Sequence, residues 1–312
     1  NIIFYALLGM LLICSSGSTL EQINKAGPFT EFPNRLQWEN EGELFWIDPF
    51  GKDALRFRAS RSLRISEENW NLLPQPETQL DISISEKKAV VTNGKIRVEI
   101  EARYGRVKYL NEKDEVLLHE SYHPHHLHFS RQYQSRGSDH FELKLTFDAE
   151  KDEHLYGMGQ YPNDCLDLKG TVLELAQKNT QISIPFLLSS KGYGFIWNNP
   201  AVGRAELSRT HTSFFAEYTR QMDYVIFAGD TPAQLVRHYS DLTGTAPEMP
   251  YFGTGFWQSK LRYSSQEEIL SVAREYKKRK LPISVIVADF YHWPVTGDWK
   301  FNPERWPDPE GD

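Results

Sequence analysis

The sequence contains very little cysteine: two residues, Cys14 and Cys165, in 312. Cys14 lies in an apolar N-terminal segment that we expect to be removed, so the mature protein would keep only Cys165 and no disulfide would form within it. Stability must therefore come from the packing of a core. The low cysteine content also argues against a zinc site with cysteine ligands, and we expect neither a metal nor a cofactor.

The sequence also lacks an excess of positive charge. Lys and Arg number 35 against 42 Asp and Glu, which gives a formal net charge of −7 and a pI of about 5.9. No basic stripe is present that would neutralise phosphate groups, and this argues against nucleic acid as a partner. The run of cations at Lys277–Lys280 is better explained as the C-terminal end of a helix, where positive charge is favourable.

The apolar run at Ile2–Cys14 is too short to cross a membrane as a helix, since thirteen residues rise by only about 20 Å. We therefore expect no integral membrane span. The small residues Ser15–Ser18 follow the run, as is typical of a secretory signal peptide. Residues 1–18 are predicted to be a leader whose start is missing, and the protein is predicted to be secreted or periplasmic. A lipid anchor on Cys14 is a weaker alternative, because Leu12 and Ile13 match a lipobox poorly.

Short runs of alternating apolar and polar residues fill the chain up to about residue 250. Such alternation predicts strands with one face on a core, and many of them with little helix predict an antiparallel sandwich, which we assign to residues 19–247. The helix predicted there is Thr231–Leu242, ended by Gly244, and Tyr156–Tyr161 is predicted to be a glycine-hinged loop. The clearest strands are Ala54–Ala59, Ala89–Thr92, Ile96–Ala102, Phe141–Phe147, Ile182–Leu188, Gly194–Trp197 and Tyr224–Phe227.

Residues 248–312 follow a different pattern. A short strand at Gly253–Trp257 precedes a helix capped by Ser264 or Ser265, and a continuous apolar strand, Ile283–Ala288, follows it. A continuous apolar strand is typical of a parallel sheet that is covered on both faces, and strand–helix–strand is the repeating unit of a β/α barrel. The predicted fold is therefore a β-sandwich N-terminal domain followed by the truncated start of a (β/α)8 TIM barrel.

Asp289 directly follows the second barrel strand. Because the C-terminal ends of barrel strands carry the functional groups, we expect its carboxylate to point into a pocket and to bind two neighbouring sugar hydroxyls or act in acid–base chemistry. The aromatic residues Phe290, Tyr291, Trp293 and Trp299 surround it in sequence and are predicted to wall that pocket. An aromatic share of 13 % suits stacking on sugar faces, although it also suits a large β core.

Two other motifs invite a functional interpretation. Tyr122–His128 contains four histidines, but metal sites draw ligands from several segments, and a solvated loop is the favoured interpretation. Trp46–Asp48 begins like a glycosidase nucleophile motif, Trp-x-Asp-Met-Asn-Glu. Since Pro49 and Phe50 follow it instead, we expect Asp48 to have a structural role.

Several motifs resemble glycoside hydrolase family 31, and in particular its α-xylosidase-like members. The resemblance implies an N-terminal β-sandwich, a (β/α)8 barrel and the cleavage of α-glycosidic bonds with retention. That chemistry uses two carboxylates about 5 Å apart. The strongest matches are Trp257–Tyr263, Val287–Trp293, Gly297–Phe301 and Trp306–Pro309, and the supporting ones are Tyr156–Gln160, Ile184–Trp197 and Leu242–Pro247.

The resemblance also implies roles for individual residues. Both catalytic aspartates of the family lie on later barrel strands, and no copy of the nucleophile motif occurs up to Asp312, so no residue here is expected to be catalytic. Asp289 matches an aspartate that binds the sugar of the −1 subsite, and Phe290 matches a residue that lines it. Gln160 matches a segment that approaches the active site from the sandwich, and Trp257 is placed with the substrate-binding residues.

The function predicted from the sequence is the N-terminal part of a retaining, exo-acting α-glycosidase. The favoured activity is that of an α-xylosidase on xyloglucan-type oligosaccharides, which makes an oligosaccharide the expected partner. The resemblance leaves open an α-glucosidase or an α-transglucosylase of the same family. A non-catalytic, carbohydrate-binding sandwich is a further alternative. The 312 residues alone are expected to show no hydrolysis.

Overall fold

The computed structural model describes residues 22–69, 71–122 and 130–310. The predicted leader, residues 1–18, lies outside them, as do the four histidines between residues 123 and 128, so the predictions made for both segments stay predictions. The chain divides into two compact units, Asn1–Thr245 and Ala246–Asp312, and each is described by itself.

Nineteen strands and one α-helix make up the described part of the first unit. The helix is α1 (Pro232–Thr243). The strands are β1 (Asn24–Ala26), β2 (Phe29–Phe32), β3 (Arg35–Asn40), β4 (Glu43–Pro49), β5 (Ala54–Ser60), β6 (Asp81–Ile84), β7 (Lys88–Asn93), β8 (Ile96–Glu101), β9 (Val107–Asn111), β10 (Val116–His119), β11 (Arg131–Ser135), β12 (Phe141–Asp148), β13 (Leu155–Gln160), β14 (Thr171–Leu175), β15 (Ile182–Ser189), β16 (Tyr193–Trp197), β17 (Gly203–Leu207), β18 (His211–Thr219) and β19 (Met222–Ala228).

These strands form three antiparallel sheets. One sheet has nine strands in the order β1-β2-β3-β4-β5-β19-β16-β15-β13, and two sheets have five strands each, in the orders β10-β9-β8-β7-β6 and β11-β12-β18-β17-β14. The two smaller sheets are joined where Ser121 N–H donates to the carbonyl oxygen of Thr146 (3.1 Å). Together they form a second layer opposite the larger sheet.

Aromatic side chains join the two layers through one core. Tyr109 of the second sheet and Tyr224 of the nine-stranded sheet share a hydrogen bond between their hydroxyl groups (2.9 Å). The ring of Phe195 lies 5.7 Å from Phe147 and 4.7 Å from Phe214, both in the third sheet. All five side chains are buried, so their apolar area contributes to stability. The predicted antiparallel β-sandwich is confirmed.

Helix α1 lies on the outer face of the nine-stranded sheet. It occupies the part of the chain for which the sequence predicted a helix, Thr231–Leu242. The Thr231 side chain caps it by accepting from Gln234 N–H (3.3 Å), and Gly244, with φ of 102°, ends it. Leu235 is buried, and the ring of Tyr239 stacks on Phe186 at 4.3 Å. A second apolar cluster therefore covers the middle of the large sheet from outside.

The loop predicted at Tyr156–Tyr161 is wrong: residues 156–160 belong to strand β13, at the edge of the nine-stranded sheet. Its pairing with β15 shifts register between Gly157 and Gly159. Met158, between them, adopts φ of 64° and is 1 % exposed, so this bulge turns an apolar side chain into the core. The two glycines that suggested a hinge are present because a side chain there would meet the partner strand.

Gly159→Ala is expected to lower the free energy of unfolding by about 2 kcal/mol more than Gly170→Ala does. A Cβ at Gly159 would lie 2.1 Å from the carbonyl oxygen of Ile182, whereas a Cβ at Gly170 has no atom within 4 Å. Both glycines have similar positive φ angles, 99° and 93°, so the comparison isolates the steric clash. Urea denaturation of both variants measures it, and equal losses would show that the β13–β15 contact tolerates a side chain.

The second unit begins with a 3-10 helix at Tyr251–Thr254 and continues with β20 (Trp257–Gln258), α2 (Gln266–Lys278) and β21 (Val285–Ile286). β20 and β21 pair in parallel, with Trp257 opposite Val285. The predicted start of a β/α barrel is confirmed by this strand–helix–strand unit.

The barrel strands are shorter and less buried than predicted. The 3-10 helix takes the first two residues of Gly253–Trp257 and β20 takes only the last, and Ile283–Ala288 contains a two-residue strand whose side chains are half-buried. Among the described residues each of these strands has one paired neighbour. A strand that pairs along one edge has fewer backbone bonds to extend it than a barrel strand, which pairs along both.

Helix α2 begins and ends as the sequence predicts. Ser265 caps it by accepting from Glu268 N–H (3.3 Å), and its last turn carries Lys277 and Lys278, both exposed. The apolar side chains at helical spacing, Ile269, Val272, Ala273 and Tyr276, are half-buried, and the buried residue of the helix is Gln266. No helix in the described ranges is long and apolar enough to cross a membrane.

Candidate functional site

Asp289 lies three residues after β21, and the peptide group that follows it is held at both ends. Its carbonyl oxygen accepts from Nδ1 of His292 (2.6 Å), and the N–H of Phe290 donates to the carbonyl oxygen of Leu261 (3.2 Å). Tyr291 completes the turn with φ of 65°, a left-handed conformation that L-residues rarely adopt. The backbone at Asp289 is therefore fixed, while the residue itself is exposed.

Three of the predicted pocket residues form an aromatic cluster beside Asp289. The rings of Phe290, Tyr291 and Trp293 contact one another, with centroid separations of 5.8, 5.9 and 6.3 Å. The guanidinium carbon of Arg262 lies 5.3 Å from the Tyr291 ring. Phe290 and Tyr291 are about half exposed (46 % and 52 %), so they offer an apolar surface on which a sugar face can stack.

The predicted pocket is present only as one wall. Asp289 and Phe290 are exposed in this unit, because a pocket at the strand ends of a barrel takes its walls from several strands and two strands supply one side. Trp299 is 97 % exposed and adds nothing to the wall. Trp257 lies in β20, is 49 % exposed, and donates its Nε1–H to the carbonyl oxygen of Gly253 (3.0 Å).

Gln160, the remaining predicted binding residue, belongs to the first unit. It is the last residue of β13, is exposed, and pairs through its backbone with Ile182. Its side chain is available to a ligand in that unit. Its predicted role beside Asp289 stays a prediction.

The turn at Asp289 is held by the segment that follows it. The carbonyl oxygen of His292 accepts from Asn302 N–H (2.7 Å), and that of Asn302 accepts from Trp306 N–H (2.9 Å). The ring of Phe301 lies between His292 and Trp306, at 5.3 Å from each. Trp306 is 5 % exposed, whereas residues 303–305 are exposed, so the segment supports the turn through this ring packing and the two backbone bonds.

Gln266, at the start of α2, anchors that support. Its Nε2 donates to the carbonyl oxygen of Asp308 (2.7 Å), and its Oε1 accepts from Asp308 N–H (2.9 Å). Its backbone N–H donates to the carbonyl oxygen of Arg305 (2.9 Å). An amide that pairs in this way with both backbone groups of one residue fixes that residue's position and direction. The first turn of α2 therefore determines where the segment beneath the Asp289 turn lies.

Gln258, at the end of β20, joins the first strand to the helix. Its Oε1 accepts from the hydroxyl group of Tyr276 (2.5 Å), its Nε2 donates to the hydroxyl oxygen of Tyr263 (3.2 Å), and its carbonyl oxygen accepts from Val287 N–H (2.9 Å).

Sequence reasoning missed Gln258, Gln266 and His292. The available signal was a histidine three residues after the aspartate, a spacing at which a side chain can bond back to the aspartate's backbone.

Two carboxyl groups, Glu268 in the second unit and Asp48 in the first, have ordinary structural explanations. The Lys260 ammonium pairs with Glu268 (2.5 Å), and this bond, together with one from Ser264 N–H, lowers the pKa of that carboxyl. Asp48, in the Trp46–Asp48 motif, is buried and accepts from both Arg35 and Arg58 (2.5 Å each), in keeping with the structural role predicted for it. No group of three His, Cys, Asp or Glu side chains that could hold a metal occurs in residues 22–69, 71–122 and 130–310.

Two family models match the chain. Residues 44–204 match the glycosyl hydrolase 31 N-terminal galactose mutarotase-like domain, and residues 246–311 match the glycosyl hydrolases family 31 TIM-barrel domain. The first match falls in the sandwich unit and covers about half of the chain. The second falls in the unit that contains Asp289.

Similar proteins carry glucosidase and xylosidase names. An uncharacterized family 31 glucosidase, ORF2, of Pseudescherichia vulneris is 39 % identical over 89 % of this chain and 56 % of its own length. Alpha-xylosidase A of Aspergillus niger is 41 % identical over 54 % of this chain and 23 % of its own. Among solved structures, a GH31 alpha-xylosidase from a soil metagenome complexed with xylose is 40 % identical, with a TM-score of 0.83 over 90 % of this chain and 44 % of that chain.

The chain spans about half the length of the first of these relatives, and less of the others. The family match rests on the two domain models in order, on identities near 40 %, and on the same backbone fold over nine-tenths of the chain. The chain belongs to glycoside hydrolase family 31.

Proposed function

We propose that the full-length protein is a retaining, exo-acting α-glycosidase that removes α-linked xylose from xyloglucan-type oligosaccharides. The observation that carries the proposal is the exposed Asp289, three residues after β21, followed directly by the aromatic cluster of Phe290, Tyr291 and Trp293. An exposed carboxylate on a fixed backbone, next to an apolar surface, suits a sugar, which has hydroxyl groups on its edge and C–H groups on its face. Relatives named as α-xylosidases support the choice of xylose.

Asp289 would bind the sugar rather than attack it. Retaining hydrolysis needs a nucleophile and an acid/base carboxyl about 5 Å apart, and we place neither of these roles on a residue of this chain. A carboxylate that accepts from two neighbouring hydroxyls forms charge-assisted bonds. These bonds stabilise the transition state if they tighten as the ring distorts. The expectation that the 312 residues alone are inactive stays a prediction.

The second candidate is an α-glucosidase or α-transglucosylase of the same family, which the relative named as a glucosidase supports. Glucose differs from xylose by one hydroxymethyl group, so the two substrates place the same demands on Asp289. A non-catalytic carbohydrate-binding sandwich is less well supported, because the parallel β20–α2–β21 unit is an enzyme element and not part of a sandwich.

The preference for xylose is tested by the kinetics of the full-length protein. We expect kcat/KM for p-nitrophenyl α-xyloside to exceed that for the α-glucoside by at least about tenfold, because a pocket shaped for xylose excludes the extra hydroxymethyl group. Equal or reversed values would favour the glucosidase. Absence of turnover on both substrates, with binding retained, would favour the binding module.

A further inference from the structure

We propose that His292 is a positioning residue: its bond to the Asp289 carbonyl oxygen sets the direction in which the Asp289 carboxylate meets the sugar. The inference rests on the proposed function, since it assumes that Asp289 binds substrate. His292 contacts the backbone of Asp289 and not its carboxylate, so its influence on the substrate is indirect.

The bond determines which nitrogen of the His292 ring carries hydrogen. A carbonyl oxygen can only accept, so Nδ1, at 2.6 Å from the Asp289 oxygen, must be the donor. Both the neutral Nδ1–H tautomer and the doubly protonated ring supply that hydrogen. The contact is therefore kept in either charge state of the ring.

Two bonds on one peptide group make the arrangement directional. The peptide unit between Asp289 and Phe290 is planar, and its two polar groups bond to His292 on one side and to Leu261 on the other. Because both its C=O and its N–H are held, this peptide plane cannot rotate. The ψ angle of Asp289, and with it the direction of the Cα–Cβ bond, is therefore fixed. Without the histidine, one anchor would remain, and the left-handed Tyr291 (φ 65°) would be free to relax.

His292 makes two contacts that can be tested separately: the hydrogen bond from its Nδ1–H and the packing of its ring. The ring packs 4.7 Å from Trp293 and 5.3 Å from Phe301, and its backbone oxygen accepts from Asn302 N–H (2.7 Å). Nδ1 is attached to Cγ, as is the amide nitrogen of asparagine. His292→Asn therefore keeps a donor near the same position and removes the ring, whereas His292→Phe keeps a ring and removes the donor.

The experiment compares these two variants in the full-length protein with p-nitrophenyl α-xyloside. We expect His292→Phe to lose about tenfold in kcat/KM, mainly through kcat, since one positioning bond is lost. His292→Asn should stay within about threefold of the wild type even if its melting temperature falls more. The opposite order, or equal losses in both variants, would show that the ring packing matters and the donor does not, and would overturn the proposal.

Asp289→Ala, measured in parallel, separates this inference from the proposed function. If Asp289→Ala keeps wild-type kinetics, the subsite assignment fails and the role of His292 fails with it. If Asp289→Ala loses activity while His292→Phe keeps it, only the positioning role is wrong and the proposed function stands.

Discussion

Asp289→Ala in the full-length protein is expected to lower kcat/KM for an α-xyloside by at least about a hundredfold. Each hydrogen bond between a charged group and a hydroxyl is worth about 1.5–3 kcal/mol, and the carboxylate is proposed to accept two of them. Asp289 is exposed and its backbone oxygen makes the bond to His292, so the fold should be unaffected. Steady-state kinetics measure the loss of activity, and a far-UV circular dichroism spectrum that matches the wild type shows that the fold is kept.

Glu304→Ala is the matched control for that experiment. Glu304 is another exposed carboxylate of the same unit. Its backbone N–H donates to the side-chain oxygen Oδ1 of Asn302 (3.0 Å), a bond that alanine keeps. We expect this variant to retain wild-type kinetics. Similar losses in Asp289→Ala and Glu304→Ala would point to a general electrostatic effect of the loop and not to a sugar contact. Unchanged kinetics in Asp289→Ala would refute the subsite assignment.

Arg131→Met is expected to lower the free energy of unfolding by about 3–5 kcal/mol, because it leaves two buried carboxylates without their partner. Arg131 donates from Nε to Glu43 (2.8 Å) and from Nη1 to Glu120 (2.6 Å), and Tyr133 also donates to Glu43 (2.7 Å). All three charged residues are buried. Guanidinium chloride denaturation of the wild type and the variant measures the loss.

The loss in Arg131→Met should shrink as the pH falls. Burial already raises the pKa of Glu120 in the native protein, against the opposing attraction of Arg131, and removing the arginine raises it further. The pKa of this carboxyl is higher in the folded protein than in the unfolded chain, where it is about 4.3. The folded protein therefore binds a proton more tightly, and its stability rises as the pH falls from the folded-state pKa to the unfolded-state pKa. A deficit below about 1 kcal/mol at pH 7, or one that grows on acidification, would contradict this account.

Removing the carboxylates together with the arginine provides the control. The triple variant Arg131→Met, Glu43→Gln, Glu120→Gln has no buried charge in this cluster, so it should recover part of the lost stability. If the triple variant is less stable than Arg131→Met alone, the loss comes from packing around Arg131. The guanidinium carbon lies 5.3 Å from the Phe45 ring, so packing is the relevant alternative.

Much of the fold could be predicted from the sequence because its strands are half-buried. In β8 and β12 the buried residues alternate with less buried ones, and that period of two is visible in sequence. β13 could not be predicted in this way. Its bulge depends on how closely β15 approaches Gly157 and Gly159, which is a property of the packed sheet and not of local preference.

The side chains of the site could be predicted from the sequence, but the residues that hold its turn could not. Asp289 stood out because it follows an apolar strand, and its aromatic neighbours because of their side chains. The residues that hold the turn, His292 and Gln266, act on backbone groups of Asp289 and Asp308. Every residue carries the same backbone groups, so the sequence does not show which of them a side chain will bond. The partner is known only once the chain is folded.

The most direct test of the central claim is a crystal structure of the full-length protein with xylose bound. The account predicts that both carboxylate oxygens of Asp289 lie about 2.5–3.2 Å from neighbouring hydroxyls of the sugar, with the ring of Phe290 against the same sugar. A xylose bound in the active site with Asp289 beyond hydrogen-bonding distance would contradict it.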